Sequence, residues 1–307
     1  MVSVEIPVVY RPYLRLGTCS WKYDSWKGLI YDKGKTYRPD DYLADYARFL
    51  SSVEIDQWFW SLFPGSVKLP EVRVVKRYAE SVPDDFIFAV KAPNALTLTH
   101  YYAKETNPEL RGKPNTCFLD SGLLQEFLAR LSPLGKKLGP VMFQFEYLNK
   151  QKMPSKEAFF GRFGEFIAAA PQGYQYAVEI RNPNYLSPAF FDFLRNHKLG
   201  FVYLEGYYMP PIGQVFDRFK PETAPFQVIR LHGGDRAEIE AETGSVWDKI
   251  VDPRPEAIRA AVRITRHNSR LKTLTYVYLN NHFEGSAPLT IERFLEALSE
   301  EVRLYPR

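Results

Sequence analysis

The chain has 307 residues, 45% of them hydrophobic and 25% charged, with two cysteines and a formal net charge of +4. This is an ordinary globular composition; it excludes a disulfide scaffold, and so small a charge does not by itself mark a nucleic-acid binder. No apolar run approaches the roughly 18–20 residues that cross a bilayer, and the opening MVSVEIPVVYRPYLRLG lacks the order of a signal peptide, so a cytoplasmic protein with no membrane partner is expected.

Short apolar runs alternate with helix-periodic stretches along the chain. Candidate strands fall at 14–18, 53–56, 87–91, 141–145, 176–181, 201–205, 226–232 and 274–280. Between them, apolar residues recur at helical spacing. One set is Leu123, Leu124, Phe127, Leu128, Leu131 and Leu138; another is Phe159, Phe160, Phe163, Phe166 and Ile167. Shorter sets follow at Phe190, Phe193 and Leu194, and at Ile258, Ala261, Val262 and Thr265. Ile291, Phe294, Leu295, Leu298 and Val302 form the last. Asp120 or Ser121, Ser155 and Ser187 stand where N-caps belong. Eightfold strand–helix alternation predicts an α/β fold, a single (β/α)₈ TIM barrel of parallel strands over 1–307. An open doubly wound sheet is the alternative, but no GxGxxG follows the first strand. Segments 96–118 and 206–225 read as long loops, the kind that often cover a barrel mouth.

Side chains alternate between strand faces, and the helix-facing set should be apolar. Val53 and Ile55 then turn Glu54 and Asp56 inward, and Val178 and Ile180 do the same for Glu179 and Arg181. Ile229 and Leu231 leave Arg230 and His232 inside; Val277 and Leu279 leave Tyr276, Tyr278 and Asn280. By the same rule Gln144, Glu146, Tyr203, Glu205 and Lys91 face inward. Unpaired buried charge is costly, so these groups are either a structural ion-pair network, such as Glu179–Arg230 or Glu54–Lys91, or a site. Barrel active sites lie at the C-terminal strand ends, which favours the site.

The segments LGTCSWKYDSWKG, VEIDQWFW, FAVKAP with a following TH, VMFQFE, VEIRN, IRLHGG and VYLNNHFEGSAP occur in this order. Together they resemble the YecE-like proteins, also called the domain of unknown function 72 family, from about Gly17 to Ala287. The resemblance implies a TIM barrel and no established activity. It adds Tyr23, Trp26, Asn281 and His282 to the site residues. The chain departs from the pattern at Trp58-Phe59-Trp60, at Phe145-Glu146-Tyr147 after Gln144, and at Glu205.

The expected function is enzymatic: a TIM barrel that uses acid–base chemistry on a small anionic polyhydroxylated ligand, a sugar phosphate or nucleotide. Glu54, Glu179 and His232 would be catalytic. Lys91, Arg181 and Arg230 would hold the anion; Gln144, Asn280, Asn281 and His282 would orient hydroxyls or move protons. Trp21, Tyr23, Trp26 and Trp60 would stack on a ring. A phosphate is expected between Arg230, the Gly233–Gly234 turn and Asn281. The same cations and aromatics also suit a nucleic acid, which stands as the alternative partner. Glu54, Glu179, Glu205 and His232 offer metal-ligand atoms, but no HxH, HExxH or CxxC spacing occurs, so no metal or other cofactor is assigned. Cys19 ends the first strand without a readable histidine partner, and no nucleophile role is assigned to it. If Glu179 is a site residue, Glu179→Gln should leave the melting temperature unchanged or raised.

Overall fold

A computed structural model describes residues 2–105 and 107–304. Among these, eight parallel strands form one sheet: β1 (Leu14–Thr18), β2 (Ser52–Ile55), β3 (Ile87–Lys91), β4 (Leu138–Gln144), β5 (Tyr176–Glu179), β6 (Gly200–Gly206), β7 (Phe226–Gly233) and β8 (Leu274–Leu279). The strand order is β1-β8-β7-β6-β5-β4-β3-β2, so each neighbour in sequence is a neighbour in space. The β1–β2 seam closes the barrel differently from the rest. A single parallel bridge joins Cys19 to Glu54, and the Ser20 amide donates to the Glu54 carbonyl at 3.1 Å. Below it, the Tyr46 hydroxyl accepts from the Thr18 amide and donates to the Ser52 carbonyl, each at 2.9 Å. A tyrosine thus supplies bonds that the ladder supplies elsewhere. Gly17 is required at this seam, because a Cβ there would lie 2.0 Å from the Ser52 carbonyl oxygen.

Two apolar layers result. Outward strand residues such as Val53, Phe143, Val178, Ile229 and Val277 pack against the helices in one large core. Phe143 and Phe145 meet Phe159, Phe163 and Phe166 of the helix Lys156–Ala169, with ring centroids 5.0–5.7 Å apart. Inside the barrel, Ala89, Met142, Ala177, Val202, Val228, Tyr276 and Tyr278 form a plug. The next inward residue up most of these strands is polar: Lys91, Gln144, Glu179, Arg230 and Asn280. The plug is therefore the base on which the polar mouth stands.

Helix signals hold with local exceptions. Asp120 accepts from the Leu123 amide at 2.9 Å and Ser155 from the Ala158 amide at 3.1 Å, as caps should. Ser187 precedes the helix Pro188–Asn196 without capping it; its hydroxyl donates back to the Tyr185 carbonyl. Leu138 opens β4 instead of continuing the helix Ser121–Leu131, because a 3₁₀ segment with Gly135 at φ 52° breaks the chain between them. The 206–225 stretch is no plain loop: Ile212–Phe219 is helical. The sixth strand runs opposite to the expected facing. Val202 joins the interior plug, while Tyr203 packs on Phe201 in the helix-side core. Glu205 consequently points out of the barrel and accepts from the Ile212 amide at 2.9 Å, which removes it from the mouth and from any metal set there.

Candidate active site

The floor of the mouth is an ion-pair cluster. Arg230 on β7 is 1% exposed, and its guanidinium reaches Glu54 on β2 and Glu179 on β5. Its Nε and Nη2 donate to the two oxygens of Glu54, each at 2.7 Å, a bidentate pair. Its Nη1 donates to Glu179 and to Gln144 Oε1 (3.3 Å). The other Glu179 oxygen accepts from Arg181 Nε at 3.0 Å. Burial pushes the Glu179 carboxyl up, but Arg230, Arg181 and Lys91 outweigh it and hold the group below its usual range. Burial opposes the charge on Arg230, yet Glu179 and Glu54 keep it firmly protonated. Two carboxylates share one guanidinium, and every charged atom of that guanidinium has an acceptor. Burial and saturation together make the floor a structural element; Glu54, Glu179 and Arg230 lie beneath the cavity and do not line it.

Above the floor opens a cavity of 1090 Å³. The strand ends supply Cys19, Asp56, Lys91, Gln144, Arg181, His232 and Asn280 to its wall, with His282 just beyond. Loops add Tyr23, Phe59, Trp60, Tyr102, Tyr147, Tyr207 and Tyr208. Lys91 is 8% exposed, and its ammonium lies 4.3 Å from the Phe59 ring centroid. Among the described residues it makes no hydrogen bond or ion pair. Burial pushes its pKa down and Arg230 adds to that. Asp56 stands on the same wall, and burial pushes its carboxyl up, with Lys91 only partly opposing. Arg181 stacks 4.0 Å from the Tyr207 ring. His232 is buried, and burial together with Arg230, Arg181 and Lys91 keeps its imidazole neutral. Its Nδ1 lies 3.4 Å from both the Tyr207 hydroxyl and Asn280 Nδ2.

The structure thus brings Tyr23, Lys91, Gln144, Arg181, His232, Asn280 and His282 to one cavity, as the sequence suggested. Trp21, Trp26 and Asn281 are elsewhere. Trp26 is fully buried and donates to Asn281 Oδ1 at 3.2 Å, and that oxygen also accepts from the Ala287 amide. Trp21 packs edge-on against Tyr78. Trp26 and Asn281 tie the first loop to the last helix, Trp21 packs on the helix Val72–Glu80, and none of the three lines the cavity. The anion expected at Arg230, Gly233–Gly234 and Asn281 loses its site for the same reason. Gly233 serves packing, since a Cβ there would meet the His282 carbonyl at 2.3 Å.

Asp56 and the rim tyrosines were not among the expected site residues. Asp56 carried a signal, its inward phase; the loop tyrosines carried none. Cys19 carried no signal for its neighbours. Its Sγ lies 3.6 Å from His232 Nε2 and 3.5 Å from Glu54 Oε2, partners 213 and 35 residues away. Burial and the Glu54 charge push this thiol up, so with a neutral imidazole beside it the pair is uncharged. Thiol, carboxylate and imidazole donor atoms here all lie within 4.8 Å of one another, a set able to hold a metal ion.

The fold and this mouth define a TIM barrel with a polar, aromatic-walled cavity at the C-terminal ends of its strands. A family model described as "Protein of unknown function DUF72" matches residues 15–306, and the chain belongs to that family. It is 26% identical over 173 residues to the UPF0759 protein YecE of Escherichia coli strain K12. That match covers 56% of this chain and 50% of the relative, so the chain spans about half the length of the curated relatives it matches. Among solved structures, it resembles a DUF72 family protein (TM1631) of Thermotoga maritima at a TM-score of 0.64 and 22% identity, covering 94% of this chain and 99% of that one. A DUF72 family protein (EF0366) of Enterococcus faecalis matches at 0.62 and 18%, covering 95% and 98%. Likeness at this identity establishes the fold. Among the described residues, no helix is long and apolar enough to cross a membrane.

Proposed function

We propose that the cavity is the active site of an acid–base enzyme for a small anionic substrate bearing hydroxyls or a planar ring, of the sugar-phosphate or nucleotide kind. The observation that carries this reading is Lys91, a buried ammonium without an ion-pair partner that faces the cavity. An isolated buried charge is expensive, so it is kept where something else completes it. An anionic group would do so, with Arg181 as the second cation. The aromatic wall would receive the ring or sugar face of the substrate. Asp56 and Lys91 are shifted in opposite directions, each toward neutrality, the direction in which burial tunes groups that give and take protons. Asp56 is therefore assigned the acid–base role and Lys91 the anion.

A thermal-shift screen of sugar phosphates and nucleotides tests this. At least one should raise the melting temperature, by about 2.7 kcal/mol of stabilisation at a hundredfold excess over Kd. Lys91→Met should abolish the shift, and Lys113→Ala, on an exposed loop, should preserve it. No shift in the native protein, or one that survives Lys91→Met, sinks the reading. The exposure of Trp60 (59%), Tyr147 (58%) and Tyr208 (97%) at the rim favours a second reading, a nucleic-acid strand whose bases stack there. Salt-dependent binding of oligonucleotides without binding of mononucleotides would select it.

A further inference from the structure

We infer that Cys19, Glu54 and His232 form a binding site for a transition-metal dication of the Zn²⁺ type. The three donors come from the ends of β1, β2 and β7, all are buried, and they converge from different sides: a thiol sulfur, a carboxylate oxygen and an imidazole nitrogen. Zinc bonds of about 2.3 Å to sulfur and about 2.0–2.2 Å to nitrogen and oxygen, at tetrahedral angles, put neighbouring donors about 3.5 Å apart. The sulfur stands 3.5 Å from Glu54 Oε2 and 3.6 Å from His232 Nε2. Both sulfur distances are thus already those of a coordinated ion, and the carboxylate and imidazole donors lie within 4.8 Å of each other, close enough for a small side-chain adjustment to complete the set.

The surroundings agree with that use. The other ring nitrogen of His232 faces the Tyr207 hydroxyl and the Asn280 amide nitrogen, each at 3.4 Å. With the proton on Nδ1 donated to the tyrosine oxygen, and the Asn280 N–H turned aside, the Nε2 lone pair is directed toward Cys19, as outer-shell partners arrange in metal sites. Glu54 is fixed by its two bonds to Arg230, and a carboxylate oxygen retains a lone pair beyond one such bond. Cys19 and His232 also line the cavity, so the ion would have an open side toward a ligand, the arrangement of catalytic zinc sites. Arg230 opposes the ion. Glu54, Glu179 and Asp56 balance Arg230, Arg181 and Lys91 in formal charge, and the thiolate reduces the added charge to one. On binding, the sulfur–metal bond forms and the thiol proton leaves to solvent. Thiolate and imidazole together favour Zn²⁺ or Co²⁺ over Mg²⁺ and Ca²⁺.

The inference does not depend on the substrate proposed above. Co²⁺ is the probe. The full chain, stripped with a chelator, is titrated with Co²⁺ and followed by the thiolate-to-cobalt charge-transfer band in the near ultraviolet. The expected result is a band saturating at one Co²⁺ per chain, displaced by Zn²⁺ and unaffected by excess Mg²⁺. It should vanish in Cys19→Ala, weaken at least tenfold in affinity in His232→Gln, and persist in Cys117→Ala, which removes the other thiol. Circular dichroism establishes that each variant is folded; if Cys19→Ala is not, His232→Gln decides. Absence of the band in the native protein, its survival in Cys19→Ala, or unchanged affinity in His232→Gln overturns the site. Because anion binding is read separately by Lys91→Met, either idea can fail while the other stands.

Discussion

Arg230 on β7 and Lys91 on β3 are both buried cations at the mouth of one barrel, 1% and 8% exposed. Arg230 reaches two carboxylates and an amide oxygen through Nε, Nη1 and Nη2. Lys91 meets an aromatic face and open cavity. Charge and burial are nearly the same in the two places; what separates them is whether the partners are already present. A cation whose acceptors are all inside the protein holds the fold, and one whose acceptor is missing is where the proposed anion would bind. This division places the boundary between structure and site within a single layer of side chains.

The largest effect should come from the saturated side. Arg230→Met takes from Glu54 its bidentate partner and leaves Glu179 with Arg181 alone, a loss of about 3–5 kcal/mol. In a chain this size that corresponds to a fall in Tm on the order of 10 °C by thermal denaturation. Glu179→Gln should also lower Tm, because Glu179 accepts from both Arg230 and Arg181. The geometry here reverses the expectation of an unchanged Tm drawn from the sequence. A near-native Tm in Arg230→Met would erase the contrast with Lys91.

Lys91→Met tests the open side. It removes a buried ammonium that no carboxylate contacts among the described residues and leaves a side chain of similar length on Phe59. Tm should stay level or rise by about 2 °C, roughly 1 kcal/mol, while the ligand-induced shift disappears. A fall of more than a few degrees would mean that Lys91 belongs to the structural cluster after all.

Titration sharpens the same comparison. The folded pKa of Lys91 is below its ordinary 10.5, so between the two values the unfolded chain binds the extra proton and stability rises with pH. The folded pKa of Asp56 is above its ordinary 3.8, so the unfolded chain releases its proton first and stability falls as pH rises from about 3.8 through the folded value. Denaturation across pH should therefore show Asp56→Asn gaining on the native protein as pH climbs above 3.8. The advantage of Lys91→Met should shrink as pH approaches 10.5. Curves that stay parallel for both variants would show that neither group is shifted by the fold.

Much of this layout was legible in the sequence because a strand has a period of two. Wherever one face was plainly apolar, as with Val178 and Ile180 or Ile229 and Leu231, the inward residues Glu179, Arg181, Arg230 and His232 followed. The rule failed at β6, where Phe201, Val202, Tyr203 and Leu204 offer apolar side chains to both faces and the small Val202 suits the crowded interior. Saturation was legible only in part: the Glu179–Arg230 pair stood among the readings, but Glu54 was matched to Lys91 and it pairs with Arg230 instead. That Glu54, Glu179 and Gln144 all converge on Arg230 depends on strands 51 to 176 residues apart. The Cys19–His232 contact spans 213 residues and has no spacing to announce it. Trp21 and Trp26 misled because clustered aromatics suit a core as well as a pocket.

The smallest effect belongs to the rim, where Tyr207 and Tyr208 follow Gly206 with φ of 52° and 61°. Two consecutive tyrosines in the left-handed region cost of order 1–2 kcal/mol each. Tyr207 has a return inside the protein, its stack on Arg181 and its hydroxyl near His232. Tyr208 has none of that kind, being 97% exposed over the cavity it lines. Strain held by an exposed aromatic points to a partner outside the fold. Tyr208→Gly should then leave stability within about 1 kcal/mol of native, since relief of the left-handed strain is offset by the greater freedom of glycine in the unfolded chain. Loss of the ring should weaken the anionic ligand about two- to tenfold, the worth of about 0.5–1.5 kcal/mol of aromatic contact. Denaturation and titration calorimetry on the same variant read both quantities. A Tm loss of many degrees would make Tyr208 a packing residue, and an unchanged Kd would take the rim out of the site and leave Lys91 and Arg181 as its outer limit.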